Sequence, residues 1–186
     1  MTATCAVCGT RHDEELLELS YKRPDPVVEL PQEERMLDVF ENDDVCVVND
    51  DRYFLRVTLP LPVNGRTEGY QIGVWVEVSR DAFQRVGDLW SEPGQAAEPP
   101  MTATLANEIR HHTGSFGLPV LLQLTGPKTR PQVFVVDATH PLGVEQRRGI
   151  TPHRASEYSV GLRPAPELPV RTRLAAPRQS PREHPQ

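Results

Sequence analysis

Cys5 and Cys8 stand three positions apart with Gly9 directly after them, a spacing that lets two thiolates reach one ion. Gly9 can take a positive φ, which allows backbone amides to turn toward the sulfurs. A structural zinc ion takes four ligands at about 2.0–2.3 Å, and the chain has no second Cys-x-x-Cys to supply the other pair. The knuckle is therefore half a site. His12 and Cys46, the only other thiol, are the leading candidates to complete it, with His140 and His153 as more distant ones. A dithiol redox pair and a knuckle holding no ion are the competing readings. The redox reading lacks a preceding strand that would set Cys5 at a helix N-terminus. Cys46, between Val45 and Val47, also reads as a buried core thiol.

A second constellation runs from Thr139 to Ile150 and places His140 at a strand-to-helix junction, ahead of Glu145 and Gln146. An imidazole there can be a base, a ligand or an anchor for the turn. Glu145 could serve as a helper base, or Glu145, Gln146, Arg147 and Arg148 could form a solvated helix face. Trp75 stands on the more polar side of its strand, where an indole either packs under a helix or lines a pocket. Trp75, His140, Glu145 and Gln146 are thus the candidates for a functional surface. Asp43-Asp44 and Asp50-Asp51 could in principle supply paired carboxylates for acid–base chemistry or a hard metal ion, but as turn acids they need no such role. The adjacent His111 and His112 point apart unless the backbone turns sharply, so no metal site is expected of them. No Gly-rich phosphate loop, Gly-x-Ser-x-Gly elbow or His-Glu-x-x-His helix occurs in the chain.

The elements that must position these groups follow from periodicity. Gln32 to Phe40 places Met36, Leu37 and Phe40 on one helical face. Val45 to Val48 and Tyr53 to Leu61 read as a hairpin around Asn49-Asp50-Asp51-Arg52. Tyr70 to Val78 alternates cleanly, and a helix follows from Ser79 through Phe83, Val86 and Trp90. Thr102 to Ile109 is open between strand and helix start. Leu118 to Thr125 and Gln132 to Asp137 are strands joined by a longer loop. Two helices begin near Pro141 and Pro152, the first ending at Gly149. The sum is an α+β fold, a mostly antiparallel sheet of about five strands with helices on one face and at the ends.

The chain of 186 residues suffices for one domain, expected over 1–162, and its core needs no disulfides. Residues 163–186 carry six prolines and five arginines and read as a disordered tail. That tail is net +3 against a whole-chain charge of -6, which leaves about -9 on residues 1–162. An acidic body argues against nucleic acid and anionic membranes as its main partners. No leader or membrane span is evident, so a cytoplasmic protein is expected.

With these pieces in place the chain resembles the bacterial family called domain of unknown function 2199, from the knuckle to about residue 160. The resemblance is carried by Cys5-x-x-Cys8-Gly9-x-x-His12, Asp44-Val45-Cys46-Val47-Val48 with Tyr53-Phe54, and Gly73-Val74-Trp75-Val76 with Ser79. Leu105-Ala106-Asn107, His140-Pro141-Leu142, Glu145-Gln146 and Gly149-Ile150 complete it. It implies a boundary but no reaction. The functional expectation is a small acidic binding module with a possible structural zinc knuckle and a protein partner not identified by the sequence. The alternatives are a metal-assisted hydrolase near His140 and an immunity-like cover for a basic protein.

Overall fold

Alternation decides which strands are central. β3 (Arg52–Leu61) and β4 (Tyr70–Val78) carry the longest runs and pair antiparallel from Tyr53↔Val78 to Leu61↔Tyr70. The computed structural model describes residues 7–9 and 17–160; Cys5 and His12 of the expected knuckle and the tail from 163 lie outside the described residues. Around this pair the sheet runs in chain order through β1 (Val39–Glu41), β2 (Val45–Val48), β3, β4, β5 (Met101–Leu105), β6 (Pro119–Gln123) and β7 (Gln132–Val135). β7 also pairs in parallel with β3 at Thr58↔Gln132, so β3 to β7 return on themselves as a five-stranded ring. The expected strands are all present, and β1 and β5 bring the sheet to seven.

Inside the ring, Leu55, Val57, Leu59 and Leu61 of β3 meet Tyr70, Ile72, Val74 and Val76 of β4. Val120, Leu122, Val133 and Val135 close that core from the other strands. The opposite face of β3 and β4 is buried too. Phe54 and Trp75 pack there with Cys46, Val48 and Ala106 under Val27 of α1 (Asp25–Val28). The helices α3 (Arg80–Leu89), α4 (Pro141–Arg148) and α5 (Pro152–Ser159) then lie against the strands through Val86, Leu142, Ala155 and Tyr158.

Each central strand shares one edge among several partners. The β3 edge away from β4 pairs with β2 from Arg52 to Leu55 and meets β7 at Thr58, whose amide donates to Pro131 O at 2.9 Å. Pro60 has no N–H to continue that ladder. Gln146 of α4 takes over. Its side-chain amide donates to Pro60 O and Val133 O and accepts from Val135 N. Further along, Ile150 N donates to Pro62 O and Asn64 N to Ile150 O. On the β4 edge away from β3, Gly73 pairs with Ser20 and Val76 with Leu105, and Asn107 fills the gap by accepting from Trp75 N at 2.8 Å. A Cβ on Gly73 would stand 2.5 Å from Ser20 Oγ, so this close approach needs glycine.

One expected element differs. The helix predicted through Phe40 is α2 (Gln32–Asp38), and the chain turns extended at Val39 to pair β1 with β2. Met36, Leu37 and Phe40, expected on one packing face, are 78%, 84% and 64% exposed. The β-branched Val39 and aromatic Phe40 gain more from the Val48 and Val47 pairing than from a further helical turn.

Candidate functional site

The loop after β5 is built by side chains rather than by strands. Asn107, fully buried, donates to Arg23 O and Asp25 Oδ1, and the other Asp25 oxygen accepts from Glu108 N. Glu108 in turn accepts from Gly114 N and Phe116 N, while Ser115 Oγ accepts from Ile109 N. This framework, together with a positive φ of 69° at His111, turns the next ring inward. His112 is buried beneath α4 and α5.

There His112 Nε2 lies 2.5 Å from Tyr158 Oη and 3.1 Å from Glu145 Oε2, and Tyr158 Oη donates to the same Glu145 oxygen at 2.6 Å. Glu145 Oε1 accepts from Arg154 Nε at 2.8 Å, and Arg154 also holds Glu157. Because Tyr158 donates to Glu145, its oxygen and the carboxylate both face His112 Nε2 as acceptors, so that nitrogen carries the proton. His112 Nδ1 is buried with no hydrogen-bond partner among the described residues. The His140 ring lies 6.3 Å from the His112 ring.

Burial alone would raise the Glu145 carboxyl, but hydrogen bonds from His112, Tyr158 and Arg154 outweigh it and hold its pKa down at about 2. Burial, with the carboxylate beside it, pushes the Tyr158 phenol up. Burial would lower the Arg154 guanidinium, but Glu157 and Glu145 raise it on balance. At neutral pH the cluster is a fixed anion, a fixed cation and a fixed phenol. Such an arrangement holds α4, α5 and the loop together.

The residues singled out from the sequence are distributed widely. Glu145 sits in this cluster. His140 caps α4, its Nδ1 accepting from Leu142 N at 3.2 Å. Gln146 is spent on the β3–β7 junction. Trp75 is 1% exposed, with Nε1 donating to Tyr21 O at 3.1 Å. Cys46 is sealed among Val27, Val48, Phe54, Trp75 and Ala106, and burial pushes its thiol up to about 11. Cys8 is exposed. Among the described residues no three His, Cys, Asp or Glu side chains are grouped to hold a metal ion. His112, Arg154 and Tyr158 were not anticipated, because no local pattern joins a loop histidine to a helix 46 positions away.

None of the residues of the His112 cluster lines the more open feature. A cavity of about 540 Å³ separates the β1–β2 turn from α3. Its floor is Val45, Leu55, Phe83, Val86 and Trp90, and its lip is Asn42, Asp43 and Asp44. Asn42 Oδ1 accepts from Asp44 N and Val45 N, which fixes the lip. Asp44 is taken by Arg130 Nε at 2.7 Å, and Asp43 is exposed. The segment that forms this lip is strongly acidic, with nine carboxylates between Glu29 and Asp51 against a single Arg35.

The family described as an uncharacterized protein conserved in bacteria, domain of unknown function 2199, matches residues 4–150. The chain belongs to that family. The matched span holds every strand, the cavity and both His112 and Glu145, whereas Arg154 and Tyr158 lie beyond it. No curated protein and no solved structure matches the chain. Among the described residues no helix is long and apolar enough to cross a membrane.

Proposed function

We propose that this chain is an acidic binding module that docks a basic protein segment in the cavity between α3 and the β1–β2 turn. The observation that carries the reading is the pairing of an apolar floor, Val45, Leu55, Phe83, Val86 and Trp90, with an acidic lip at Asp43. An apolar side chain on the floor supplies contact area, and a cation beside it meets the exposed carboxylate of Asp43. A metal-assisted hydrolase is the weaker reading. Glu145 spends both oxygens on Arg154, Tyr158 and His112, and His140 spends Nδ1 on Leu142 N. A zinc ion at the knuckle is compatible with the docking role, as an N-terminal clamp drawn from Cys5, Cys8 and His12. Cys46, enclosed by Val27, Val48, Phe54, Trp75 and Ala106, would have to be reached through that apolar packing to serve as the fourth ligand.

Trp90 makes the test direct, since the other tryptophan, Trp75, is buried away from the cavity. A synthetic peptide alternating Arg with Leu is titrated into the full chain, beside its Glu/Leu counterpart. The expected result is a saturable change in Trp90 emission with the basic peptide alone, weakened by salt and lost in Asp43→Lys. An equal response to both peptides, or an unchanged response in Asp43→Lys, overturns the reading.

A further inference from the structure

A second concave feature carries the opposite charge from the first. A cleft of about 430 Å³ opens where the β3–β4 loop faces β7 and α4. Its apolar surface includes Pro60, Pro62 and Phe134, and its polar side chains include Arg66, Thr67 and Arg147. We propose that this cleft is a binding site for a small, flat, apolar carboxylate, separate from the docking surface described above.

Charge is the first reason. Residues 1–162 carry about -9, yet the charged groups that line this cleft are two arginines and no carboxylate. Glu68, between Thr67 and Gly69, is not among the lining residues. An anion therefore meets a locally favourable field on an otherwise acidic body.

Preorganisation is the second. Arg147 Nη1 donates to Gly143 O at 3.0 Å and Asp137 O at 3.4 Å, and Nη2 donates to Val135 O at 2.7 Å and Val136 O at 3.1 Å. These acceptors are neutral carbonyls, so they fix the guanidinium without cancelling its charge. Gly143 permits the close approach, since a Cβ there would stand 2.2 Å from Asp137 O and 2.9 Å from Arg147 Nη1. The opposite wall is pinned as well. Ile150 N donates to Pro62 O and Asn64 N to Ile150 O, both at 2.8 Å, and Arg66 N donates to Val63 O at 3.0 Å. A ligand that enters such a cleft has little ordering of the walls to offset.

The lining then selects the ligand. Phe134 stands between buried Val133 and Val135 and is 41% exposed, so its ring points away from the core of the strands. With Pro60 and Pro62 it offers flat apolar contact, and the volume falls in the range of small-molecule sites. Both terminal nitrogens of Arg147 are spent on carbonyls, which leaves charge rather than a full fork of donors. A singly charged carboxylate suits that supply, whereas a phosphate calls for several N–H donors.

The test titrates cinnamate into the full chain and follows the backbone amides by heteronuclear NMR. Saturable shifts centred on Thr67, Gly69 and Val135 are expected, with a Kd of about 1 mM or tighter for a probe of this size. Neutral cinnamamide should bind at least about tenfold more weakly, and Arg66→Glu should weaken cinnamate by at least about fivefold. Phenyl phosphate should bind no more tightly than cinnamate. The site is overturned by shifts centred elsewhere, by no saturation below about 10 mM, by equal affinity for cinnamate and cinnamamide, or by an unchanged affinity in Arg66→Glu. Tighter binding of phenyl phosphate overturns the carboxylate assignment.

Discussion

Replacing Glu145 by Gln keeps the shape of the side chain and removes the charge on which His112, Tyr158 and Arg154 converge. The folded carboxyl titrates near 2 rather than at its ordinary 4.5. Each unit is worth about 1.4 kcal/mol of differential stabilisation, so the gap corresponds to about 3 kcal/mol. Its side chain is only 20% exposed, which limits solvent screening of that figure. The folded value lies below the unfolded one, so this stabilisation is complete above about pH 4.5 and is lost as the pH falls toward 2. Glu145→Gln lacks it at every pH. Urea unfolding should therefore show the variant less stable by about 3 kcal/mol at pH 7, or roughly 6–12 °C in Tm, with the gap narrowing to about 1.4 kcal/mol at pH 3 and to below about 0.5 kcal/mol at pH 2. Glu41 and Glu108, also lowered by partners outside the cluster, titrate in both proteins and cancel in the difference. A gap that is the same at pH 7 and pH 3 would refute the ionised network, as would a gap below about 1 kcal/mol at pH 7.

Gln146→Leu leaves Val135 N and Val133 O without their partner at the β3–β7 junction and should cost about 2–3 kcal/mol, with faster hydrogen exchange at Val135; unchanged exchange there would contradict the proposed closure. The Cys46 thiol, raised to about 11 by burial, should react with a thiol reagent at pH 8 only at the rate of unfolding. Elemental analysis of protein prepared without a histidine tag should give about one zinc per chain, lost in Cys8→Ser and retained in Cys46→Ser. Loss of zinc in Cys46→Ser would return Cys46 to the ligand set.

Periodicity made much of the sheet legible. Tyr70 to Val78 alternates over its full length because one face meets the ring core, and Asn49 and Asp50, both with φ of 51°, make the turn their side chains suit. The double burial of β3 and β4 was less visible, since the cover over Trp75 comes from Tyr21 to Val27, a proline-punctuated stretch without period. β1 was hidden inside a helical pattern for a different reason. Met36, Leu37 and Phe40 fit a helix face, but no element of the described fold lies opposite to bury them. The polar cluster was illegible because its parts lie 33 and 46 positions apart and meet only when α4 and α5 fold over the loop.

Polar residues in apolar surroundings attract a functional reading, and two of them here serve the sheet instead. Asn107 and Gln146 are both buried amides placed where a central strand changes partner, one at Trp75 N between Gly73 and Val76, the other at Pro60 O beyond Thr58. An amide offers a donor and an acceptor on adjacent atoms, which is what a broken ladder leaves open. The ring thus closes without a long β7, and Asn107 and Gln146 are consumed in doing so. What remains for recognition are groups the fold leaves exposed over an apolar floor. Asp43 fits that description, whereas His140, Gln146 and Trp75 already have partners within the chain.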